Sequence, residues 1–260
     1  MIDLHSHMIA ENTAYRDSDA AWENIFNVAR MALEDGIDHL VWTPEYRLGQ
    51  IEDAAIEQNK LTAQLVNVKL KEAGYPLEMS LGADFHVTSR ERNAILSEIR
   101  KVTDSQYVFL SFSQAYLPTN FETVIQHLLQ NGLTPIISHP ERLSWINEKY
   151  HSLRSLVNDG AWIQLTADSF TGYFGRKAQY WSERFLSEGI IHVIASEAHS
   201  VERRPPVLSE AKQILQANLS ADEVNKIMVT RPQLILDNAI CGESILPPGV
   251  VLPWQSEKVS

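Results

Sequence analysis

The sequence is most informative first in what it has little of. It carries one cysteine, Cys241, in 260 residues, so no intramolecular disulfide can form and a reducing compartment suits it. No apolar run reaches the roughly 18 residues that a membrane helix needs. The opening, with Asp3 and His5 inside its first apolar stretch, lacks the basic-then-apolar order of a secretory signal. These absences predict a cytoplasmic protein without direct membrane insertion. Basic residues are also scarce: 22 Lys and Arg stand against 33 Asp and Glu, a formal net charge of -11, which disfavours nucleic acid or an anionic membrane surface as the main partner. No Pro/Gly/Ser-rich linker, internal repeat or low-complexity segment divides the chain. A single domain over residues 1–240 is therefore expected, followed by a tail over 241–260 that holds Pro247, Pro248 and Pro253.

What is present begins with Met1-Ile2-Asp3-Leu4-His5-Ser6-His7. A short apolar run ending in two histidines one residue apart reads as a buried strand whose tip turns both imidazoles to one side, because strand side chains repeat every second residue. Such a pair also occurs on ordinary half-exposed strands, so the rest of the chain must discriminate. The same pattern returns along it. Apolar, β-branched runs at 39–43, 77–85, 107–112, 134–138, 161–166 and 190–195 predict six further strands. Helical spacing predicts helices near 19–34, 51–73, 89–101, 121–130, 175–187, 207–217, 221–228 and 232–238, with Asp17 or Ser18 capping the first and Ser220 capping the seventh. Seven strands alternating with helices predict an α/β fold with parallel strands, closed as a barrel rather than left as an open sheet.

Polar residues gather where these strands end: His5, His7, Asp17, Glu45, Asp84, His86, Ser111, His139, Glu197 and His199. Strand C-termini are where β/α barrels build active sites. One histidine at a strand end is ordinarily structural, but a succession of them mixed with carboxylates is a donor set suited to manganese, iron or zinc rather than to magnesium or calcium. Arg142 follows His139 by three residues and Arg204 follows His199 by five; guanidinium forks bind phosphate bidentately, and an acidic protein needs such groups to hold a phosphoester. Metal-assisted hydrolysis of a phosphate monoester fits this combination. Cys241 lies in the tail without an arginine-flanked loop, which argues against a thiol nucleophile.

Four blocks carry a resemblance: Met1 to His7, Ile137-Ser-His-Pro-Glu-Arg142, the run from Gln164 to Gly172, and His192 to His199 followed by Arg204-Pro-Pro. Together they resemble the bacterial protein-tyrosine phosphatases of the polymerase-and-histidinol-phosphatase (PHP) superfamily, over about residues 1–240. The resemblance implies a distorted (β/α)7 barrel and a manganese-dependent metal cluster, with iron or zinc as alternatives. It implies as substrate the phosphotyrosine tail of a membrane-associated tyrosine autokinase that controls capsule or exopolysaccharide biosynthesis, and it allows a homo-oligomer.

Position by position, the resemblance makes His5, His7, Asp17, His139 and His199 metal ligands, and Arg142 and Arg204 phosphate-binding catalytic residues. Four positions depart from the family's pattern. Glu45 stands for a histidine, Asp84 for a metal-bridging glutamate, Ser111 for a second glutamate, and Glu197 for an aspartate. Glu45, Asp84 and Glu197 remain candidate ligands, whereas the Ser111 hydroxyl is a poor substitute for a carboxylate. An Asp/Glu exchange moves the carboxylate by roughly 1.5 Å, against metal distances tolerated within about 0.2 Å. The shortened arm at Asp84 and the lengthened arm at Glu197 could offset each other, and His86, on the same strand face as Asp84, could supply a further ligand. Two other functions stay open: a small-molecule phosphomonoesterase of histidinol-phosphatase type, which shares the fold and ligands, and, on the substitutions at Glu45, Ser111 and Glu197, a weakened barrel that binds without cleaving.

Overall fold

The computed structural model describes residues 1–9, 19–87 and 92–238. Asp17, the Asp17/Ser18 cap and the tail over 241–260 lie outside them.

In chain order the strands are β1 (Ile2–Ser6), β2 (His39–Trp42), β3 (Glu45–Arg47), β4 (Glu78–Leu81), β5 (Asp84–His86), β6 (Tyr107–Ser111), β7 (Thr134–Ser138), β8 (Trp162–Thr166) and β9 (Val193–Ala195). The helices are α1 (Asp19–Glu34), α2 (Asp53–Glu72), α3 (Arg92–Val102), α4 (Phe121–Gln130), α5 (Ile146–Asn158), α6 (Ala167–Thr171), α7 (Gly175–Ser187), α8 (Ser209–Asn218), α9 (Ala221–Asn225) and α10 (Arg231–Leu236). Every strand pairing is parallel, in the orders β1-β2-β4 and β3-β5-β6-β7-β8-β9.

Nine segments make seven strand units, because β2 runs on into β3 across Thr43-Pro44 and β4 into β5 across Gly82-Ala83. The single strand expected over 77–85 is thus two. The cause is local: a Cβ on Gly82 would stand 2.8 Å from Val41 Cγ1 and 3.0 Å from Thr43 Cγ2, so the backbone runs too close beside β2 to leave room for a side chain. Beyond this jog Asp84 N donates to Pro44 O at 3.1 Å and pairing passes to the second sheet, where Glu45 faces Asp84 in register.

The ring closes between the first strand and the last. His7 N donates to Ala198 O at 2.7 Å and Glu197 N to His5 O at 3.0 Å, with Ser6 and Ala198 bridged in parallel. Beside this seam the buried Asp3 carboxylate accepts from both the amide and the hydroxyl of Ser196. The expected distorted (β/α)7 barrel is the observed architecture, and its distortion is the break between the two sheets.

Burial sorts the core into two parts. Ile2, Leu4, Val41, Tyr107, Phe109, Ile136, Trp162 and Val193 pack inside the ring, closed below by Ile235 of α10, while alternate residues such as Val108, Leu110 and Ile137 face the helices. Ser220 caps α9 as expected, accepting from Glu223 N. Helix α5 was not anticipated, although Ile146, Tyr150, Leu153 and Val157 bury one face at helical spacing.

Candidate active site

Strand length and register determine which side chains reach the upper end of the ring. A register shift between Asp3 and Ser6 leaves one extra residue in β1 against β2 just before His7. The His5 and His7 rings then lie 4.9 Å apart with their Nε2 atoms 3.0 Å from each other. Asp84 Oδ2 approaches His5 Nε2 at 3.9 Å, and the ligating atoms of His5, His7 and Asp84 fall within 4.8 Å of one another. His7 also faces His199, ring centres 4.8 Å apart.

On the other side of His5 stands Glu197. Its Oε1 lies 3.6 Å from His5 Nδ1 and 3.7 Å from His139 Nε2, and its Oε2 accepts from Arg142 Nη1 at 3.3 Å. Both His139 and Glu197 adopt left-handed backbone, at φ 40° and 55°. Non-glycine residues pay for that conformation, roughly 1–3 kcal/mol each, and such strain collects at functional sites.

The fully buried Gln164 amide joins the two halves. His5 Nδ1 donates to Gln164 Oε1 at 2.8 Å, and Gln164 Nε2 donates to Glu197 Oε1 at 3.3 Å. With its proton committed to Gln164, His5 turns a bare Nε2 lone pair toward His7.

Electrostatics agree with this geometry. Burial lowers the pKa of His5, and it drives His7, His139 and His199 down to about 4, so all four imidazoles are neutral near pH 7. Burial would raise Glu197, but His139, His5 and His7 in their protonated forms, together with Arg142, outweigh it and hold the carboxylate well below its usual range. Asp84 is pushed well above its usual value by burial and by Glu197, with Ser111 opposing through a hydrogen bond. Its Oδ1 and the Nδ1 of His139 are buried without a hydrogen-bond partner among the described residues. Neutral imidazoles converging on a carboxylate with an unused oxygen are a fit for a transition-metal cation, which would satisfy lone pairs that no other described residue meets.

A cavity of about 560 Å³ opens above this cluster, walled by His7, Asp84, His139, Glu197, His199, Arg142 and Arg204 among others, with His5 buried beneath them. Glu45 reaches the same wall and accepts from Arg47 Nε at 3.1 Å, while acting electrostatically on His7 and Asp84. His86 and Ser111 are register partners on the rim, joined by a weak 3.4 Å contact. The expected site residues within the described segments therefore line one cavity, except His5, which is buried beneath it; Asp17 lies outside those segments.

Sequence reading gave no role to Gln164 or Phe174. Gln164 was legible as the inward position between Trp162 and Thr166 on a strand. Phe174, whose ring meets the guanidinium groups of Arg142 and Arg204, carries no sequence signal of that contact.

Residues 1–237 match the family described as capsular polysaccharide synthesis, CpsB/CapC. The chain is 28% identical over 241 residues to the tyrosine-protein phosphatase YwqE of Bacillus subtilis (strain 168), covering 92% of each. It is 26% identical over 249 residues to the tyrosine-protein phosphatase CpsB of Streptococcus pneumoniae, covering 92% of this chain and all of that one. Among solved structures, one described as belonging to YwqE and CpsB, unique metal-dependent tyrosine phosphatases, superposes with a TM-score of 0.78 at 26% identity, covering 92% of this chain and 96% of that one.

Proposed function

Because this chain belongs to the CpsB/CapC family of capsular polysaccharide synthesis proteins, we propose that it is a metal-dependent protein-tyrosine phosphatase of capsule or exopolysaccharide biosynthesis. The observation that carries this reading is the convergence of His5 Nε2, His7 Nε2 and Asp84 beneath a cavity whose wall also bears Arg142 and Arg204. A metal-ligand cluster and a pair of phosphate-binding cations in one cavity suit metal-assisted phosphomonoester hydrolysis.

His5, His7, Asp84, His139, Glu197 and His199 would hold manganese, with Asp17 and Glu45 as further candidates. When bound, the metal would act as a Lewis acid, acidifying water and withdrawing charge from the phosphoryl oxygens. The protein's own part is positioning. Arg142 and Arg204 present guanidinium donors to the phosphoryl oxygens and offset their negative charge in an otherwise acidic chain. Glu197, ionised and fixed by Gln164 and Arg142, keeps the His5 ring oriented and balances the local positive charge. The neutral imidazoles need lose no proton to act as ligands.

The substrate in this reading is the phosphotyrosine tail of a membrane-associated tyrosine autokinase, met in the cytoplasm. Among the described residues no helix is long and apolar enough to cross a membrane. The test is elemental analysis of the purified protein combined with hydrolysis of a phosphotyrosine peptide with and without added manganese. Bound metal with manganese-dependent turnover supports the proposal. No metal and no turnover would end it, and much faster hydrolysis of histidinol phosphate would replace its substrate.

A further inference from the structure

Arg142 and Arg204 come from different loops. Arg142 closes the 3₁₀ turn Pro140–Arg142 after β7. Arg204 ends a turn after β9, where its amide donates to Ser200 O at 3.2 Å and its carbonyl accepts from His199 N at 2.9 Å. Two like charges that must meet one phosphate repel each other, and burial, with Arg142 second to it, lowers the pKa of Arg204. Something must hold them together before substrate arrives.

A third loop is placed to do so. Between α6 and α7 the chain turns through Gly172 and Gly175, both with positive φ, and Gly175 N donates to Gly172 O at 2.9 Å. Tyr173 and Phe174 are thereby fixed at the tip. The Tyr173 hydroxyl donates to Arg203 O at 2.9 Å, pinning the turn that carries Arg204, and its amide donates to Asp168 O at 3.2 Å. The Phe174 ring meets both cations: the guanidinium carbon of Arg142 lies 4.1 Å from its centroid and that of Arg204 5.9 Å. An aromatic face carries negative charge density that attracts guanidinium groups, so one ring offsets the repulsion between two of them. Phe174 is not part of the cavity wall, so it acts through the arginines rather than on the substrate.

We propose that Tyr173-Phe174 is a positioning element that sets the spacing of Arg142 and Arg204 and thereby the affinity of the site for a phosphoryl group. The inference rests on the phosphatase reading for its kinetic form, but inorganic phosphate tests it without turnover.

The experiment compares wild type, Phe174→Leu, Phe174→Trp and Tyr173→Phe in the metal-loaded protein. Phosphate binding is read by calorimetry, steady-state kinetics use a phosphotyrosine peptide, and metal content is read by elemental analysis. Phe174→Leu raises KM and the phosphate Kd by roughly three- to tenfold with unchanged metal content. Its kcat stays within about twofold of wild type. Phe174→Trp restores wild-type phosphate affinity, and Tyr173→Phe shifts KM in the same direction as Phe174→Leu by a smaller factor. Wild-type phosphate affinity in a folded Phe174→Leu overturns the inference, as does a loss confined to kcat or metal content. Should Phe174→Leu fail to fold, Tyr173→Phe and Phe174→Trp decide: unchanged phosphate affinity in Tyr173→Phe, or weakened affinity in a folded Phe174→Trp, overturns it. A wild type that binds phosphate but cleaves no phosphotyrosine peptide refutes the functional reading and leaves the brace to be judged on binding alone.

Discussion

The Nε2 atoms of His5 and His7 stand 3.0 Å apart, and the opposite nitrogen of His5 is already committed to Gln164. Without a cation the two Nε2 atoms, among the described residues, satisfy each other by sharing one proton. A bound metal is therefore predicted to stabilise the whole fold. At a free manganese concentration 100 times its dissociation constant the gain is about 2.7 kcal/mol. Thermal unfolding with chelator and with manganese checks it; identical midpoints would count against metal binding at this site.

Gln164 orients His5 and Glu197 without being a candidate ligand itself. Gln164→Met keeps the volume and removes both hydrogen bonds, and it should weaken metal affinity by about 10- to 100-fold. Metal titration of the variant reads the effect.

Arg204 contributes charge-assisted hydrogen bonds to the phosphoryl group in the proposed reaction. Arg204→Ala should lower kcat/KM for a phosphotyrosine peptide by about 10- to 100-fold. Metal content and unfolding temperature should stay near wild type, which separates this role from a structural one.

Gly82 follows β4 directly beside β2. Gly82→Ala forces a Cβ to within 2.8 Å of Val41 and 3.0 Å of Thr43, and should destabilise the fold by about 1–3 kcal/mol. The urea midpoint is the measurement, with an unchanged m-value marking a loss of stability rather than of cooperativity.

His192 is stacked on Trp162 at 5.1 Å, and its Nδ1 accepts from Ile163 N at 3.1 Å. Burial and Arg231 hold its pKa well below the ordinary value. The unfolded chain binds a proton there near pH 6.5 and the folded chain does not. Its contribution to stability is thus complete above about pH 6.5 and is lost below it, by up to about 1.4 kcal/mol per pH unit. The site histidines held near pKa 4 act in the same direction, so the informative quantity is a difference. His192→Gln should be less stable than wild type near neutral pH yet lose less on acidification, as measured by urea unfolding of chelator-treated protein.

Legibility in the sequence follows the range of the interaction concerned. The strand-helix alternation and the polar strand ends are local patterns, and they yielded the barrel and the residues that meet in its cavity. Helix α5 is encoded locally in the spacing of Ile146, Tyr150, Leu153 and Val157, which bury one face of it. The division of β4 from β5 depends on how close Gly82 comes to β2, which no local pattern encodes. Asp84 joins the two histidines while Glu45 turns to Arg47, although both are carboxylates at strand ends and face each other in register. The brace at Phe174 draws on three loops that come together only in the folded chain.

The seam between β1 and β9 has a consequence for the order of events during synthesis. Asp3 and Ser196 are bound to each other across 193 positions of chain, and Glu197 reaches His5 at the same seam. A nascent chain released from the ribosome only as far as β8 has His5 and His7 but lacks Glu197 and His199, and the final wall of its barrel is missing. Contacts of such long range form late. In the proposed reading, metal uptake would wait for the end of translation: a truncated or stalled product would present both histidines without Glu197 and His199, and metal retention would report that the ring had closed.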